Sequence, residues 1–325
     1  MTLDWREAFR DLDIMVLGAT GFIGRWVARS LTDASANLHL PVRDSASPDT
    51  VARTYGIRAE WIEADLTDLD ATTALIQQRR PAIIFNLAGY GIDRAERDQQ
   101  TAYRINADLV RRVAQTLSTS PDTPWPGQRF IHVGSGFEYG RARGDLSEAT
   151  HPEPGTLYGQ TKLAGTQACT KVCQQSGLRG LTARPFTVYG PGEHTGRLLP
   201  SLIQAANLQS SIPLTAGLQE RDFTYVEDIA EGLLRLACSA ADPGAVVNLA
   251  TGRLSNVHDF SLAAGQVLGI SEHRLGFGAI PTRPEEMKHD PVATTLLESL
   301  TSWRPPTTPL EGIRRTLAYQ DRQRS

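Results

Sequence analysis

The first half of the chain alternates short apolar runs with stretches of helical periodicity. Each apolar run is long enough for a buried strand, and in stretches such as 24–31 and 102–117 apolar residues recur every three or four positions. Alternating strands and helices favour a parallel, doubly wound sheet whose ligands bind beyond the carboxyl ends of the strands. The predicted strands are Ile14–Leu17, Asn37–Val42, Ala59–Ile62, Ala82–Leu87, Arg129–Val133 and Gly180–Ala183.

The pattern changes after Arg184. Glycine and proline cluster in 189–196, and turn signals recur further along the chain, so regular alternation is broken. This change favours a smaller, irregular α/β lobe that closes over the binding edge of the sheet. The predicted division is a sheet domain of residues 1–186 and about 222–252, and a second lobe of residues 187–221 and 253–325.

A glycine-rich segment, Gly18-Ala-Thr-Gly21-Phe-Ile-Gly24, follows the first predicted strand and opens a helix. The first glycine permits a tight turn, the second lets backbone amides approach a pyrophosphate, and the third allows close packing of helix on strand. The helix amino terminus adds unpaired N–H groups and a positive partial charge. A glycine triplet can mark a bare turn, but in this position it indicates dinucleotide binding and a Rossmann-type fold.

The end of the second predicted strand bears on the choice of dinucleotide. An NAD site usually has a carboxylate there for the ribose hydroxyls, whereas the 2′-phosphate of NADP requires a cation. The strand ends Leu40-Pro-Val42-Arg43-Asp44, so its first polar side chain is that of Arg43. We predict NADP, with Arg43 forked onto the 2′-phosphate. The alternative is NAD, with Asp44 on the ribose and Arg43 solvated.

Tyr158 and Lys162 are four residues apart where a helix is predicted to begin, so their side chains share one helix face. Tyrosine titrates near 10, and its phenolate needs stabilisation by about three pK units to act near pH 7, which a neighbouring ammonium favours. The Tyr-x-x-x-Lys pattern alone is common by chance. Ser135 strengthens it, because this residue follows the apolar run 130–133 and therefore stands at the carboxyl edge of the sheet.

Two further segments complete this set of motifs, Arg184-Pro-Phe-Thr-Val-Tyr-Gly-Pro-Gly192 and Arg221-Asp-Phe-Thr-Tyr-Val-Glu-Asp228. The whole set resembles the extended short-chain dehydrogenase/reductase family, in its sugar-nucleotide epimerase, dehydratase and reductase branch. The resemblance runs from Gly18 to the C-terminal tail. It implies a Rossmann-type domain with a substrate-binding lobe, and a homodimer formed through the helices that contain Asn106 and Tyr158.

The resemblance also implies roles for the matching residues. Tyr158 is expected to be the general acid/base, Lys162 to bind the nicotinamide ribose and lower the pKa of the tyrosine, and Ser135 to hydrogen-bond the reacting oxygen. Asp65 matches the family's adenine contact. Besides Tyr158, Lys162 and Asp65, the residues expected at the cofactor are Gly18, Thr20, Gly21, Phe22, Ile23, Gly24, Arg43, Leu66, Leu87, Ala88, Gly89 and Pro185.

The implied substrate is a nucleotide-diphosphate sugar, because Arg221 and Arg283 match arginines that meet the phosphates and ribose of the nucleotide. Many members have asparagine where this chain has Thr187, so the usual amide contact to the diphosphate is in doubt. The residues expected at the substrate are Tyr90, Ser135, Glu138, Thr187, Arg197, Arg221 and Arg283.

Dehydration is disfavoured by the residues that follow Ser135. Dehydratases of the family place Asp-Glu directly after the catalytic hydroxyl, because eliminating water needs an additional acid and base. This chain has Gly136 and Phe137 there. Glu138, one residue later, is expected to cap a turn or contact a sugar hydroxyl.

Reduction of a 4-keto nucleotide sugar by NADPH and 4-epimerisation on bound NAD are the two remaining chemistries, and Arg43 favours the reductase. A dinucleotide-binding sensor without turnover is disfavoured because Ser135, Tyr158 and Lys162 are all present. Reduction of an apolar carbonyl compound is disfavoured because it does not need the paired arginines. His194 is expected at most to border the substrate channel.

The composition of the 325 residues is that of a globular protein, with 40% hydrophobic residues, 33 Lys+Arg and 36 Asp+Glu. Because no dense basic block occurs, nucleic acid is not expected as a partner. Neither a signal peptide nor a membrane span is predicted. Three cysteines without a complementary cluster favour reduced thiols in the cytoplasm and no metal site.

Overall fold

A parallel sheet of seven strands forms the centre of the protein. The structure, a computed structural model, describes residues 5–43, 48–92, 96–282 and 289–324. The strand order in the sheet is β11-β6-β5-β4-β1-β2-β3. The sheet strands are β1 (Asp13–Leu17), β2 (Asn37–Val42), β3 (Glu60–Glu63), β4 (Ile83–Asn86), β5 (Phe130–Val133), β6 (Gly180–Pro185) and β11 (Ala245–Leu249).

Within the described residues, three two-stranded pairs lie outside this sheet: β7 with β10, β9 with β12, and β8 with β13. Only the pair of β9 and β12 is antiparallel among these three. Their strands are β7 (Thr187–Tyr189), β8 (Ile212–Pro213), β9 (Glu220–Arg221), β10 (Phe223–Tyr225), β12 (Ser255–Asn256) and β13 (Leu275–Gly276).

Helices connect the strands, and short π and 3₁₀ turns interrupt some of the connections at 104–108, 136–138 and 272–274. The helices are α1 (Trp5–Ala8), α2 (Phe22–Asp33), α3 (Pro48–Tyr55), α4 (Leu69–Arg79), α5 (Gln99–Tyr103), α6 (Leu109–Thr119), α7 (Leu157–Ser176), α8 (Leu198–Asn207), α9 (Val226–Ala237), α10 (Val257–Leu268), α11 (Thr295–Thr301) and α12 (Pro309–Arg324).

Both faces of the sheet are buried, as the apolar runs of its strands require. Successive residues of β1 point to opposite faces: Ile14 and Val16 pack with α2 and α9, whereas Met15 and Leu17 pack with α6 and α7. The six predicted strands and the doubly wound α/β architecture are confirmed. The seventh strand, β11, was not individually predicted, although its residues fall in the segment assigned to the sheet domain.

A separate apolar cluster lies in the second half of the chain. It joins β7, α8, β10, α10 and the start of α12, and at its centre the rings of Phe223 and Phe260 stack with 4.2 Å between centroids. The C-terminal segment does not belong to this cluster alone. Leu297 of α11 and Tyr319 of α12 pack in the cluster against the sheet, so part of the expected second lobe covers the sheet domain.

The strand order reverses beside β1, which pairs with β4 on one side and β2 on the other. In sheets of this kind, the crevice at the carboxyl ends of the strands flanking such a reversal binds the ligand. Among the described helices, none combines the length and apolar character needed to cross a membrane.

Candidate active site

A cavity of about 520 Å³ opens at the carboxyl ends of β1, β4, β5 and β6. The glycine loop, the catalytic residues expected from the sequence and the loop that leads into α8 all contribute to its wall. The lining residues are Gly21, Phe22, Ile23, Gly24, Leu87, Gly89, Ile92, Val133, Gly134, Ser135, Phe137, Tyr158, Lys162, Pro185, Phe186, Val188, Glu193, His194, Thr195, Gly196 and Arg197.

The glycine loop has the geometry that close approach requires. Gly18 adopts a φ of +79°, and a side chain there would meet the backbone of Ala88 at 2.7 Å. A side chain on Gly24 would overlap the carbonyl oxygen of Gly18, so helix α2 packs on the loop only without one. Gly21 is the N-cap of α2 and makes no side-chain cap, which leaves the first N–H groups of the helix for a ligand.

The three catalytic residues expected from the sequence meet in the cavity. Ser135 follows β5, and Tyr158 and Lys162 lie in the first two turns of α7. Thr156 is the N-cap of this helix, and its side chain accepts a hydrogen bond from the N–H of Gly159. Ser135 and Lys162 are buried, and the ammonium of Lys162 donates to the carbonyl oxygen of Val133 at the end of β5. The serine, the tyrosine and the lysine are thus arranged on two adjoining elements at one edge of the sheet.

The pKa of Tyr158 moves in the direction opposite to the one expected. Burial raises it to about 12, while a hydrogen bond with Ser135 lowers it and the negative charge of Glu138 adds to the increase. Burial likewise lowers the pKa of Lys162 to about 8, against an opposing effect of Glu138. In this structure, desolvation therefore dominates the titration of both groups, and the phenol of Tyr158 is neutral at pH 7.

Glu138 is not available to a substrate, which corrects one of the expected contacts. Its side chain has no exposed surface, and Oε1 accepts hydrogen bonds from the N–H of Ser135 at 2.8 Å and from the hydroxyl of Thr166 at 2.9 Å. Oε2 accepts from Nε of Arg184 at 2.8 Å. Glu138 is the capping residue of the turn after Ser135, the other role expected for it.

Asn106 lies in the π-helical turn behind the site and is fully buried. Its side chain accepts a hydrogen bond from the N–H of Tyr90 at 3.0 Å and donates to the carbonyl of Tyr90 at 2.8 Å and to the hydroxyl of Thr161 at 2.9 Å. Asn106 thereby ties the loop after β4 to the catalytic helix. Tyr90, expected at the substrate, is half-buried and is not among the residues that line the cavity. Its contacts with Asn106 are made by its backbone.

The residues expected at the adenosine side lie outside the cavity wall. Arg43 is exposed directly after β2, and Asp65 is exposed after β3. The N–H of Thr67 donates to Asp65 at 2.9 Å and is the largest factor that lowers the pKa of this carboxyl, and the charge of Arg43 lowers it further. The other expected cofactor residues outside the wall are Gly18, Thr20, Leu66 and Ala88.

Of the arginines expected at the substrate, Arg197 lies close enough to Arg221 for its charge to act there. Burial lowers the pKa of Arg221 to about 10, and the charge of Arg197 lowers it further. Arg197 also lowers the pKa of Tyr158, so its positive charge acts on both Arg221 and Tyr158. Thr187 donates its N–H to the carbonyl of Asp222 at 3.0 Å and is not a lining residue. Arg283 lies outside the described residues.

With the glycine loop, the Ser135–Tyr158–Lys162 group and the sheet order established, comparison with known proteins decides the family. A family model described as the NAD dependent epimerase/dehydratase family matches residues 14–250. The chain belongs to this family. It is an NAD(P)-dependent enzyme of the extended short-chain dehydrogenase/reductase type.

Several known proteins resemble the chain over most of its length. It is 27% identical over 319 residues to a dTDP-6-deoxy-L-talose 4-dehydrogenase (NAD(P)(+)) of Kitasatospora kifunensis, covering 93% of both chains. It is 27% identical over 259 residues to an uncharacterised UDP-glucose epimerase, YtcB, of Bacillus subtilis, covering 76% and 79%. MoeE5, solved in complex with UDP-glucuronic acid and NAD, has a TM-score of 0.81 at 25% identity, covering 96% and 99%.

Several residues in the wall of the cavity were not predicted from the sequence. Ile92 and Phe137 are unusually exposed for apolar residues, and the ring of Phe137 meets that of Tyr158 edge-on with 5.9 Å between centroids. Glu193 lies in the loop after β7 together with His194, which does border the cavity as expected. The only sequence signal for Glu193 was its place in the glycine- and proline-rich segment 189–196.

Proposed function

We propose that the protein reduces the 4-keto group of a nucleotide-activated sugar with NADPH. Tyr158 shares one cavity with Ser135, Lys162 and the glycine loop, an arrangement that serves either reaction. The observation that favours reduction is Arg43, which is exposed at the end of β2 and suits the 2′-phosphate of NADPH. A phenol that keeps its proton at pH 7 is a proton donor, which is the role that carbonyl reduction asks of it. The 4-epimerase reaction with NAD is the alternative.

The residues present fit a dinucleotide. The crowded Gly18 and Gly24, the uncapped amino terminus of α2 and the lysine of the cavity suit a pyrophosphate and a ribose. Arg43, exposed at the end of β2, supports NADPH because a guanidinium matches the 2′-phosphate. When bound, the dinucleotide supplies the hydride of the reaction.

Side chains of the protein donate the proton, orient the reacting oxygen and bind the ribose. Tyr158 donates its proton to the oxygen that becomes the new hydroxyl, and Ser135 hydrogen-bonds the same oxygen and orients it. The ammonium of Lys162, held by the carbonyl of Val133, binds ribose hydroxyls and keeps positive charge near the phenolate that the proton transfer leaves.

Arg197 and Arg221 support a nucleotide-diphosphate sugar as the substrate. The positive charge of Arg197 lowers the pKa of Arg221, and Arg221 is largely removed from water. A diphosphate placed between two such cations would relieve their repulsion and accept several charge-assisted hydrogen bonds. Neutral carbonyl compounds would gain nothing from this pair.

Dehydration is not supported by the residues beside the reacting position. Gly136 packs against Phe186 and Phe137 has no ionisable group, while the carboxylate of Glu138 is held by Arg184. The turn after Ser135 therefore supplies no second proton-transfer group.

Two panels test the proposal: 4-keto nucleotide sugars assayed with NADPH and with NADH, and nucleotide hexoses that carry a C4 hydroxyl assayed with NAD⁺. Stoichiometric oxidation of the cofactor is expected, with one hydroxylated sugar formed for each NADPH consumed. Sugar interconversion without net oxidation would establish the epimerase instead, and loss of water from a nucleotide hexose would establish a dehydratase.

A tyrosine variant tests the proton donor separately. Tyr158→Phe is expected to lower kcat by about 10²- to 10⁴-fold, because the proton transfer is lost. The matched control is Tyr103→Phe on α5, whose ring is exposed and lies outside the cavity wall; full activity is expected. Turnover that survives Tyr158→Phe would refute the assignment.

Three further expectations remain proposals: the division into two lobes, a homodimer through the helices that contain Asn106 and Tyr158, and location in the cytoplasm. Light scattering of the purified protein would test the dimer, since a monomeric mass at micromolar concentration excludes it.

A further inference from the structure

Glu193 is a buried carboxyl in the wall of the cavity. Its side chain is only 7% exposed, and Oε1 lies 3.6 Å from Nε of Arg197. The other oxygen, Oε2, has no hydrogen-bond partner among the residues that the structure describes. Within the described part of the wall, Glu193 is the only carboxylic acid. The group therefore stands at the ligand site with one oxygen that accepts no hydrogen bond from the described residues.

An unsatisfied, buried carboxylate oxygen is costly. Burial raises the pKa of Glu193 to about 7, although the positive charge of Arg197 opposes this shift. A ligand that donates a hydrogen bond to the carboxylate would remove part of the cost. The unused oxygen thus indicates where a donor on the ligand would be recognised.

The backbone beside Glu193 is attached to the sheet domain by two contacts. The indole N–H of Trp26 donates to the carbonyl of Pro191 at 3.0 Å, and a side chain on Gly192 would overlap the hydroxyl of Tyr55. Both contacts attach this loop to the sheet domain. The terminal torsion of glutamate is intrinsically broad, and a turn about it would bring a carboxylate oxygen toward the cavity without movement of the loop.

The chemistry of a nucleotide sugar limits which of its groups can be this donor. The phosphates only accept hydrogen bonds and would be repelled by a carboxylate, whereas they suit Arg197 and Arg221. The sugar hydroxyls can donate. The phosphate leaves the ring at C1 and the reacting carbonyl is at C4. Glu193 lies beside Arg197, whose charge also acts on Tyr158 in the same cavity, so the hydroxyls within its reach are those between the two positions, on C2 or C3.

We propose that Glu193 is a specificity-determining residue that accepts a hydrogen bond from the C2 or C3 hydroxyl of the sugar. Arg197 then holds the phosphate next to it, and the pair recognises the junction between diphosphate and sugar ring. Sugars that lack this hydroxyl leave the carboxylate unsatisfied and are discriminated against. This inference rests on the proposed nucleotide-sugar substrate.

Binding measurements on the NADP⁺-loaded protein test the inference without turnover. The probes are UDP-glucose and dTDP-glucose, and then the 2-deoxy and 3-deoxy forms of whichever binds more tightly. Wild-type protein is expected to bind one deoxy form about 10- to 100-fold more weakly than the parent, the range of a hydrogen bond to a charged group.

Glu193→Ala is expected to weaken the parent sugar by a similar factor and to leave the deoxy form unchanged, so that the discrimination disappears. Glu193→Gln keeps an acceptor oxygen and should retain a large part of it. Glu311→Gln is the control, because Glu311 also pairs with an arginine four residues later but on an exposed helix face. With active enzyme, the loss should appear in KM rather than kcat.

Equal weakening of the parent and the deoxy forms by Glu193→Ala would refute the inference and leave the proposed function intact. A loss found instead in the Kd of NADP⁺, measured without sugar, would also refute it and assign Glu193 to the cofactor. If neither nucleotide sugar binds the wild-type protein, the proposed substrate class itself fails, and the inference fails with it.

Discussion

Glu138 and Arg184 form an ion pair inside the protein, with Nε of Arg184 2.8 Å from Oε2 of Glu138. The side chains are 0% and 4% exposed, and they join the turn after β5 to the neighbouring strand β6. The second oxygen of Glu138 accepts from the N–H of Ser135, so the pair holds the backbone of the catalytic serine. Glu138 is a positioning residue in this arrangement, since it acts on the reaction through Ser135.

Glu138→Gln is expected to lower the free energy of unfolding by about 3 kcal/mol, because it leaves the guanidinium of Arg184 buried without its counter-charge. Urea denaturation at pH 7 measures this change. The matched control is Glu231→Gln, which removes the partly exposed pair with Arg235 on α9 and should cost less than about 1 kcal/mol. Equal losses in both variants would contradict the importance of the buried pair.

Lys162 is buried, although its proposed role requires a positive charge. Its pKa is lowered to about 8 from 10.5, so at pH 7 the folded protein holds a buried ammonium at a cost on the order of 3 kcal/mol. Between these two values the unfolded chain holds the proton and the folded protein has released it. The contribution of Lys162 to the free energy of unfolding therefore rises with pH in this window.

We expect Lys162→Met to abolish turnover while raising the free energy of unfolding at pH 7 by about 2 kcal/mol, since it removes the buried charge at the loss of one hydrogen bond. The difference from wild type should shrink as the pH approaches about 10. Urea denaturation across this range measures it, and Lys171→Met, at an exposed position of the same helix, should show no such trend. A destabilised Lys162→Met variant at pH 7 would overturn this interpretation.

Local sequence was sufficient for the parts of the fold that depend on local pattern. The apolar run Asn37–Val42 coincides with β2, and the glycine loop lies where the first strand ends. Strand β11 was harder to single out, because it lies within the irregular second half of the chain and pairs with β6, more than 60 residues earlier in sequence. The π turn at 104–108 gave no signal either, since its residues continue the periodicity of a helix.

In the site, residue types could be predicted from the sequence, but the environments of their side chains could not. Ser135, Tyr158 and Lys162 could be predicted because their spacing and position after a strand are sequence properties. The burial of Glu138 depends on Arg184, 46 residues away, and the burial of Glu193 depends on a loop that packs on α2. The pKa direction of Tyr158 was wrong for the same reason: proximity of an ammonium is visible in the sequence, but desolvation is not.

Arg43→Ala is expected to separate the two cofactors. Arg43 is exposed at the end of β2, and a lost guanidinium–phosphate contact should weaken NADPH by about 2 kcal/mol, roughly 30-fold in Kd, with little effect on NADH. Fluorescence titration with each dinucleotide measures the ratio. Arg53→Ala on the exposed face of α3 is the control for a general loss of positive charge, and it should leave both affinities unchanged. If Arg43→Ala left the ratio of the NADPH and NADH affinities unchanged, the argument for NADPH would be lost. Because that argument is what favours the reductase, the 4-epimerase would then be the better supported reaction.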